Sequence, residues 1–149
     1  MNATRAVAAG LLGTAAMTAL LLIEPSVGLP QIAIGQIFST AIGLAPVYLP
    51  VGPAVGWCLD FLAGVGFALV YAGVFERRLP DGPVVRGSLY GLIVFVMAQL
   101  VFMPLVGGGL FSHGDLELIA GSLLGHLVYG GVVGWIYGLP SAPGPAVVG

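Results

Sequence analysis

The sequence predicts an all-α membrane protein: four transmembrane helices arranged as two tandem helical hairpins. Three observations predict it. Only 7% of the 149 residues are charged and 58% are hydrophobic, whereas a soluble domain carries about 25% charge. So few charges cannot cover a water-facing surface. Four stretches approach the roughly 20 apolar residues that cross a bilayer. And all four basic residues, every one an arginine, fall on the same side of those stretches.

The spans are expected at 6–23, 53–75, 87–106 and 118–139 of a single membrane domain. Glu24-Pro25 closes the first, because proline disfavours helix in the residue before it. A chain opening MNATRAVAAGLLGTAAMTALLL also suits a secretion signal with Arg5 as its positive region. Its apolar run Ala6–Ile23, however, is 18 residues long, above the usual signal core. Pro53 suits the first turn of the second span. The loop ERRLPDGPVVR separates the second span from the third, and the Pro-rich tail PSAPGPAVVG follows the fourth.

Arginine placement sets the expected orientation. Arg5 precedes the first span, and Arg77, Arg78 and Arg86 lie between the second and third. Loops 24–52 and 107–117 contain neither Arg nor Lys. The positive-inside rule then puts both termini and the middle loop in the cytoplasm, with the chain in the cell membrane. Tyr48 and Trp57 fall near the outer boundary, and Tyr71, Tyr90, Trp135 and Tyr137 near the inner one, the depths that amphipathic rings favour.

Loop 24–52 is too long and too apolar for a plain connector. Gln31, Gly35, Ser39 and Gly43 recur at four-residue spacing, while Ile32, Ile37, Phe38 and Ile42 fall largely elsewhere around a helix. This predicts a short helix over residues 30–44, lying at the outer interface or dipping into the bundle.

The halves look related. A shift of 66 residues carries Asp60 onto His126, Gly64 onto Gly130 and Tyr71 onto Tyr137. A shift of 81 carries Arg5 onto Arg86, Gly10 onto Gly91 and Thr18 onto Gln99. The difference is a 15-residue surplus in the first half's outer loop. Two spans per half give both halves one orientation, hence a pseudo-twofold axis along the membrane normal.

The fourth span carries Ser122, His126, Gly130, Gly134 and Gly138 at strict four-residue spacing; the second carries Gly56, Asp60, Gly64, Ala68 and Ala72. At 3.6 residues per turn such positions form one ridge. Bare ridges let two backbones approach, and contact of that kind holds helices together in lipid. The two ridges are expected to face each other.

Each ridge carries one ionisable residue at the equivalent step. Asp60 lies roughly 10 Å inside its span and His126 roughly 12 Å, at 1.5 Å per residue. Gln99 and Thr18 reach a comparable depth, so one polar layer is expected across the outer half of the bundle. A charge at the centre of a span costs about 2.5–3.5 kcal/mol on insertion scales. Asp60 must therefore be neutral, paired or hydrated, and His126 is its natural partner. Such a pair serves either as a proton relay, substrate contact or ligand position, or as a bridge that fixes helix register.

Other chemistry is excluded or weak. Without lysine there is no basic patch for nucleic acid. Cys58 is the single cysteine, so no disulfide forms within the chain. His113, Asp115 and Glu117 read as a solvated loop, short of the ligand geometry that a metal demands. Met17, Met97 and Met103 read as packing residues, and Gly107–Gly109 as a flexible turn. No Ser-His-Asp, Walker or zincin pattern occurs. The chain reads as no enzyme, with no cofactor of its own.

MPLVGGGLF at 103–111, GHLVYGGVVGWIYG at 125–138, AAGLLGTAAMTALLL at 8–22 and GWCLDFLAGVGFALVY at 56–71 resemble an uncharacterised family of small prokaryotic membrane proteins with four helices. The resemblance covers all four spans and lends no activity. In that family the second span often has His where this chain has Asp60. The leading expectation is an accessory or assembly subunit, its partners the lipid bilayer and other membrane subunits or further copies of itself. A small transporter or proton-coupled permease using Asp60 and His126 is the alternative. A third is a subunit giving one axial ligand, His126, to a haem or pigment.

Overall fold

A computed structural model describes residues 1–43, 53–80 and 82–139, without the side chains of 39–43. Tyr48, the end of the expected interfacial helix at 44 and the Pro-rich tail lie outside the described residues. There are five helices among those described: α1 (Ala3–Ile23), α2 (Ile34–Gly43), α3 (Pro53–Phe75), α4 (Pro83–Leu105) and α5 (Leu116–Gly138). The four helices other than α2 are long and apolar enough to cross a membrane.

Helix ends follow local chemistry. The Asn2 side chain accepts from the Arg5 amide, so α1 begins at Ala3, three residues ahead of expectation. Glu24-Pro25 ends the α-helix but not the rod, which runs on as a 3₁₀ turn to Val27 and stops at left-handed Gly28. Pro83 opens α4, four residues before the expected start, because proline suits the first turn. Asp115, read from sequence as part of a solvated loop, caps α5 by accepting from the amides of Glu117 and Leu118.

The arginine-bearing loops share one end of the bundle, called the basic end below. Arg5 Nη1 donates there to the carbonyls of Tyr137 and Leu139, fastening the start of α1 to the end of α5. A cation also suits a helix C-terminus, where the backbone dipole is negative. Glu76 bonds both Arg77 and Arg86 at 3.7 Å, tying the α3–α4 loop together.

The helices do not pack as the ridges suggested. Extensive contacts join α1 to α3, α1 to α5, α4 to α5 and α2 to α3. The expected face-to-face contact of the α3 and α5 ridges is absent, and each ridge is spent on another helix. A Cβ on Gly130 would lie 2.8 Å from the Gly91 Cα, and one on Gly134 would lie 2.8 Å from the Gly87 Cα. Gly138 sits under Pro83. So the α5 ridge meets α4. On α3, Gly64 packs beneath Thr14, Ala68 beside Gly10, and Gly56 directly against Gly35 of α2. The spacing of small residues shows that a backbone will come close; it does not show which one.

The two hairpins cross at corresponding glycines. Gly10 of α1 lies on Gly64 of α3, and Gly91 of α4 lies on Gly130 of α5. Their outer flanks differ. α1 packs along α5, but its counterpart pair, α3 and α4, meets closely only at the basic end. There Tyr90 stacks with Tyr71 and Phe75 at 5.3 and 5.0 Å, and its hydroxyl donates to the Phe67 carbonyl at 2.8 Å. Toward the other end the two helices diverge. α2, part of the first half's surplus, spans the opening: it lies on α3 at Gly35 and stacks Phe38 on Phe102 of α4 at 4.8 Å.

Candidate functional site

Where α3 and α4 diverge they leave a partly open chamber of about 460 Å³. Its walls are aliphatic and aromatic, among them Met17, Phe67, Met97 and Phe102, and α2 covers it with Ile34, Ile37 and Phe38. Met17, Met97 and Met103, expected as packing residues, line this chamber; Met17 is buried and Met97 is 41% exposed.

A few polar groups converge on this apolar space. Asp60 and His126 both line it. No hydrogen bond joins them, so the expected direct bond is not made. His126 Nδ1 instead meets the Ser122 carbonyl at 2.7 Å. A carbonyl oxygen only accepts, so Nδ1 carries the proton and, in the neutral ring, Nε2 is left as an acceptor. The Phe95 ring stands edge-on to the imidazole at 5.9 Å, fixing its plane. Asp60 is 5% exposed, and its Oδ2 has no partner among the described residues. Two acceptors cannot bond one another without a proton between them.

Gln99 lines the chamber as expected, but Thr18 does not; Thr14, one turn earlier on α1, takes that place with its hydroxyl unpartnered. Gln99 owes its position to a π-helical turn over Ala98–Phe102. Pro104, two residues on, has no N–H for the Leu100 carbonyl, and its ring crowds that carbonyl. The helix widens, and the Met103 amide bonds back to Ala98. Turns of this kind are frequent at functional sites.

Three buried polar residues carried no sequence signal that singled them out. Tyr129, buried on α5, donates to the Gly64 carbonyl at 2.6 Å and closes the chamber's inner end. Ser112 bonds the Gln99 side-chain oxygen at 3.2 Å from the α4–α5 loop. To reach it, Phe111, Ser112 and His113 all take left-handed backbone, with φ of 44°, 50° and 56°. This conformation costs a non-glycine residue about 1–2 kcal/mol. Glycines at 107, 109 and 114 take the neighbouring positive-φ positions. The third is Glu24, 2% exposed, whose carboxyl packs against Gly121 with neither oxygen bonded among the described residues; it lies outside the chamber lining.

Among the described residues no group of three or more His, Cys, Asp or Glu side chains could hold a metal. The arrangement offers recognition: a largely apolar pocket with one carboxyl, one imidazole nitrogen, two side-chain amides and a few hydroxyls.

Four membrane-capable helices around such a chamber define a multi-pass helical membrane protein. Over residues 1–145 the chain matches the family of unknown function DUF6789, and it belongs to that family. No curated protein and no solved structure matches it.

Proposed function

We propose that this protein is a non-enzymatic carrier of the cell membrane, with both termini cytoplasmic, that takes a small and largely apolar molecule into the chamber between α3 and α4. The observation that carries this reading is the chamber itself, with the unpartnered Asp60 carboxyl in its wall. Ligand sites are typically clefts of about 300–1,000 Å³, apolar with a few placed polar groups. An ionisable residue buried in a membrane span is expensive, and it signals a site when no structural partner accounts for it. The α2 helix lies over the chamber, packed on α3 at Gly35 and on Phe102 of α4 through Phe38.

An accessory subunit fits less well. Of the features that favour it (short loops, ridges made for helix packing and a polar inventory too thin for catalysis), the ridges are used inside this chain. The equivalent crossings Gly10–Gly64 and Gly91–Gly130 support a duplicated hairpin. On that view the insertion carrying α2 turned one of two matching flanks into a chamber.

The haem or pigment reading keeps one specific support. A metal-ligating imidazole usually donates its other N–H to a carbonyl or carboxylate, as His126 does to Ser122.

One experiment separates the three. The protein and an Ala63→Phe variant, which fills the chamber, are purified in mild detergent. Bound small molecules are extracted and identified by mass spectrometry. The carrier reading expects a molecule on the native chain that is missing from an equally stable variant. Identical extracts from the two would overturn it. A stoichiometric partner protein unaffected by the variant would restore the accessory reading, and a visible absorption band lost in His126→Phe would establish the haem reading.

A further inference from the structure

The polar atoms of the chamber are not balanced between donors and acceptors, and the imbalance restricts what the chamber can hold. Its lining includes no Lys or Arg. The Tyr129 hydroxyl, the one phenol there, already donates to Gly64, and the Ser112 hydroxyl already donates to Gln99. His126 has committed its N–H to Ser122. What faces the space without a partner is the Asp60 carboxyl and, on the neutral ring, the His126 Nε2 lone pair. The side-chain amides of Gln31 and Gln99 and the hydroxyls of Thr14 and Ser122 are the neutral donors left over.

We infer that the chamber binds a cationic amine with a compact hydrocarbon body, its ammonium hydrogens shared between Asp60 and His126; this rests on the chamber being a binding site at all. An ammonium group has several donors and no acceptor, the complement of two acceptors that cannot bond each other. Its charge offsets that of Asp60, for which the salt bridges among the described residues supply no partner. The aromatic walls add to the attraction, since the faces of Phe and Tyr rings draw cations. A carboxylate ligand would meet the opposite: Asp60 at close range and no cation to neutralise either charge. A neutral alcohol could donate to one acceptor only and would leave the other desolvated, a loss that hydrogen-bonding sites penalise.

The test uses the full chain in lipid nanodiscs at neutral pH and three probes with one ring body: cyclohexylmethylamine, cyclohexylmethanol and cyclohexanecarboxylate. Affinities are read from the thermal midpoint against probe concentration. The amine is expected to bind about tenfold or more tighter than the alcohol, a difference of about 1.4 kcal/mol, and the carboxylate not at all. Asp60→Asn should bring the amine to the level of the alcohol. If all three probes bind alike and Ala63→Phe abolishes every one, the chamber is a site but the cation inference is wrong. Preferred binding of the carboxylate would likewise overturn the inference. If no probe binds, the carrier reading and the inference both fall. The ranking on the native chain decides the matter even where Asp60→Asn fails to fold.

Discussion

The Tyr129 hydroxyl donates to the backbone carbonyl of Gly64 at 2.6 Å, joining α5 to α3 where the two helices make no extensive packing contact. Tyr90 does the same from α4, three residues further along α3, at Phe67. Beyond its contacts with α1 and α2, α3 is thus held to the other half by two phenols and the aromatic cluster at the basic end. Tyr129 and Gly64 of the first bond both line the chamber.

Removing one phenol tests its share. Side-chain hydrogen bonds between membrane helices average about 0.6 kcal/mol and reach about 1.7. Tyr129→Phe should lower stability within that range in detergent unfolding, and the double change with Tyr90→Phe should lower it further while leaving the α4–α5 interface intact. An unchanged double variant would mean that the ring stacks alone hold α3.

The glycine contacts give a sharper contrast. A Cβ on Gly130 runs into α4 at Gly87 and Gly91, whereas one on Gly66 meets nothing within 4 Å. Overpacking typically costs about 1–3 kcal/mol, so Gly130→Ala should destabilise by at least that lower figure and Gly130→Leu should prevent assembly. Gly66→Ala should be neutral. Cysteine cross-linking should likewise join α5 to α4 near Gly130 and fail between α5 and α3, which would be the reverse of the ridge-to-ridge packing that the sequence suggested.

That reversal marks where legibility ended. Long apolar runs declared the spans, since a helix alone satisfies its backbone in lipid. The ladders declared which positions pack tightly, because only small residues permit it. The partner of each ladder depends on the azimuth of every helix, and four-residue spacing carries no azimuth relative to a neighbour. Thr18 was favoured over Thr14 for the same reason: depth is legible along one helix, and facing is not. Asp60 and His126 line one chamber, but the bond between them was assumed. Ser122 intercepts the imidazole N–H from within the same helix, a local competition that pairing by depth overlooks. The turn at Ser112 was illegible outright, since nothing in Phe-Ser-His announces three left-handed residues.

That turn makes its own prediction. His113 is exposed and held at φ 56°. Glycine adopts this conformation freely, so His113→Gly should raise the unfolding midpoint by an amount corresponding to about 1 kcal/mol. Ser112→Gly relieves similar strain but forfeits the bond to Gln99, so its gain should be smaller or reversed. A destabilised His113→Gly chain would show that the imidazole itself holds the loop.

Orientation is tested independently of packing. Reporter fusions at the N-terminus, near Pro83 and after Pro140 should read cytoplasmic, and fusions near Ser26 and Gly108 external. The arginines at the basic end set this expectation. An external signal near Pro83 would invert the protein in the membrane and place the chamber in the cytoplasmic half.

Asp60 separates a structural role from a functional one by the sign of its effect. A carboxyl that bridges helices stabilises them, and breaking a buried bridge costs about 3–5 kcal/mol. The Asp60 Oδ2 has no partner among the described residues, however, and a buried polar atom left unsatisfied costs about 1–3 kcal/mol. Asp60→Leu fills similar space without that cost, and neighbouring Gly64 and Thr14 keep their contact. The variant should therefore unfold at a higher temperature than the native protein while losing the amine probe entirely. Gain of stability with loss of binding is the signature of a residue retained for its ligand. If Asp60→Leu instead lowers the midpoint, the carboxyl is a structural bridge, and the unpartnered oxygen at the centre of the site reading has been misjudged.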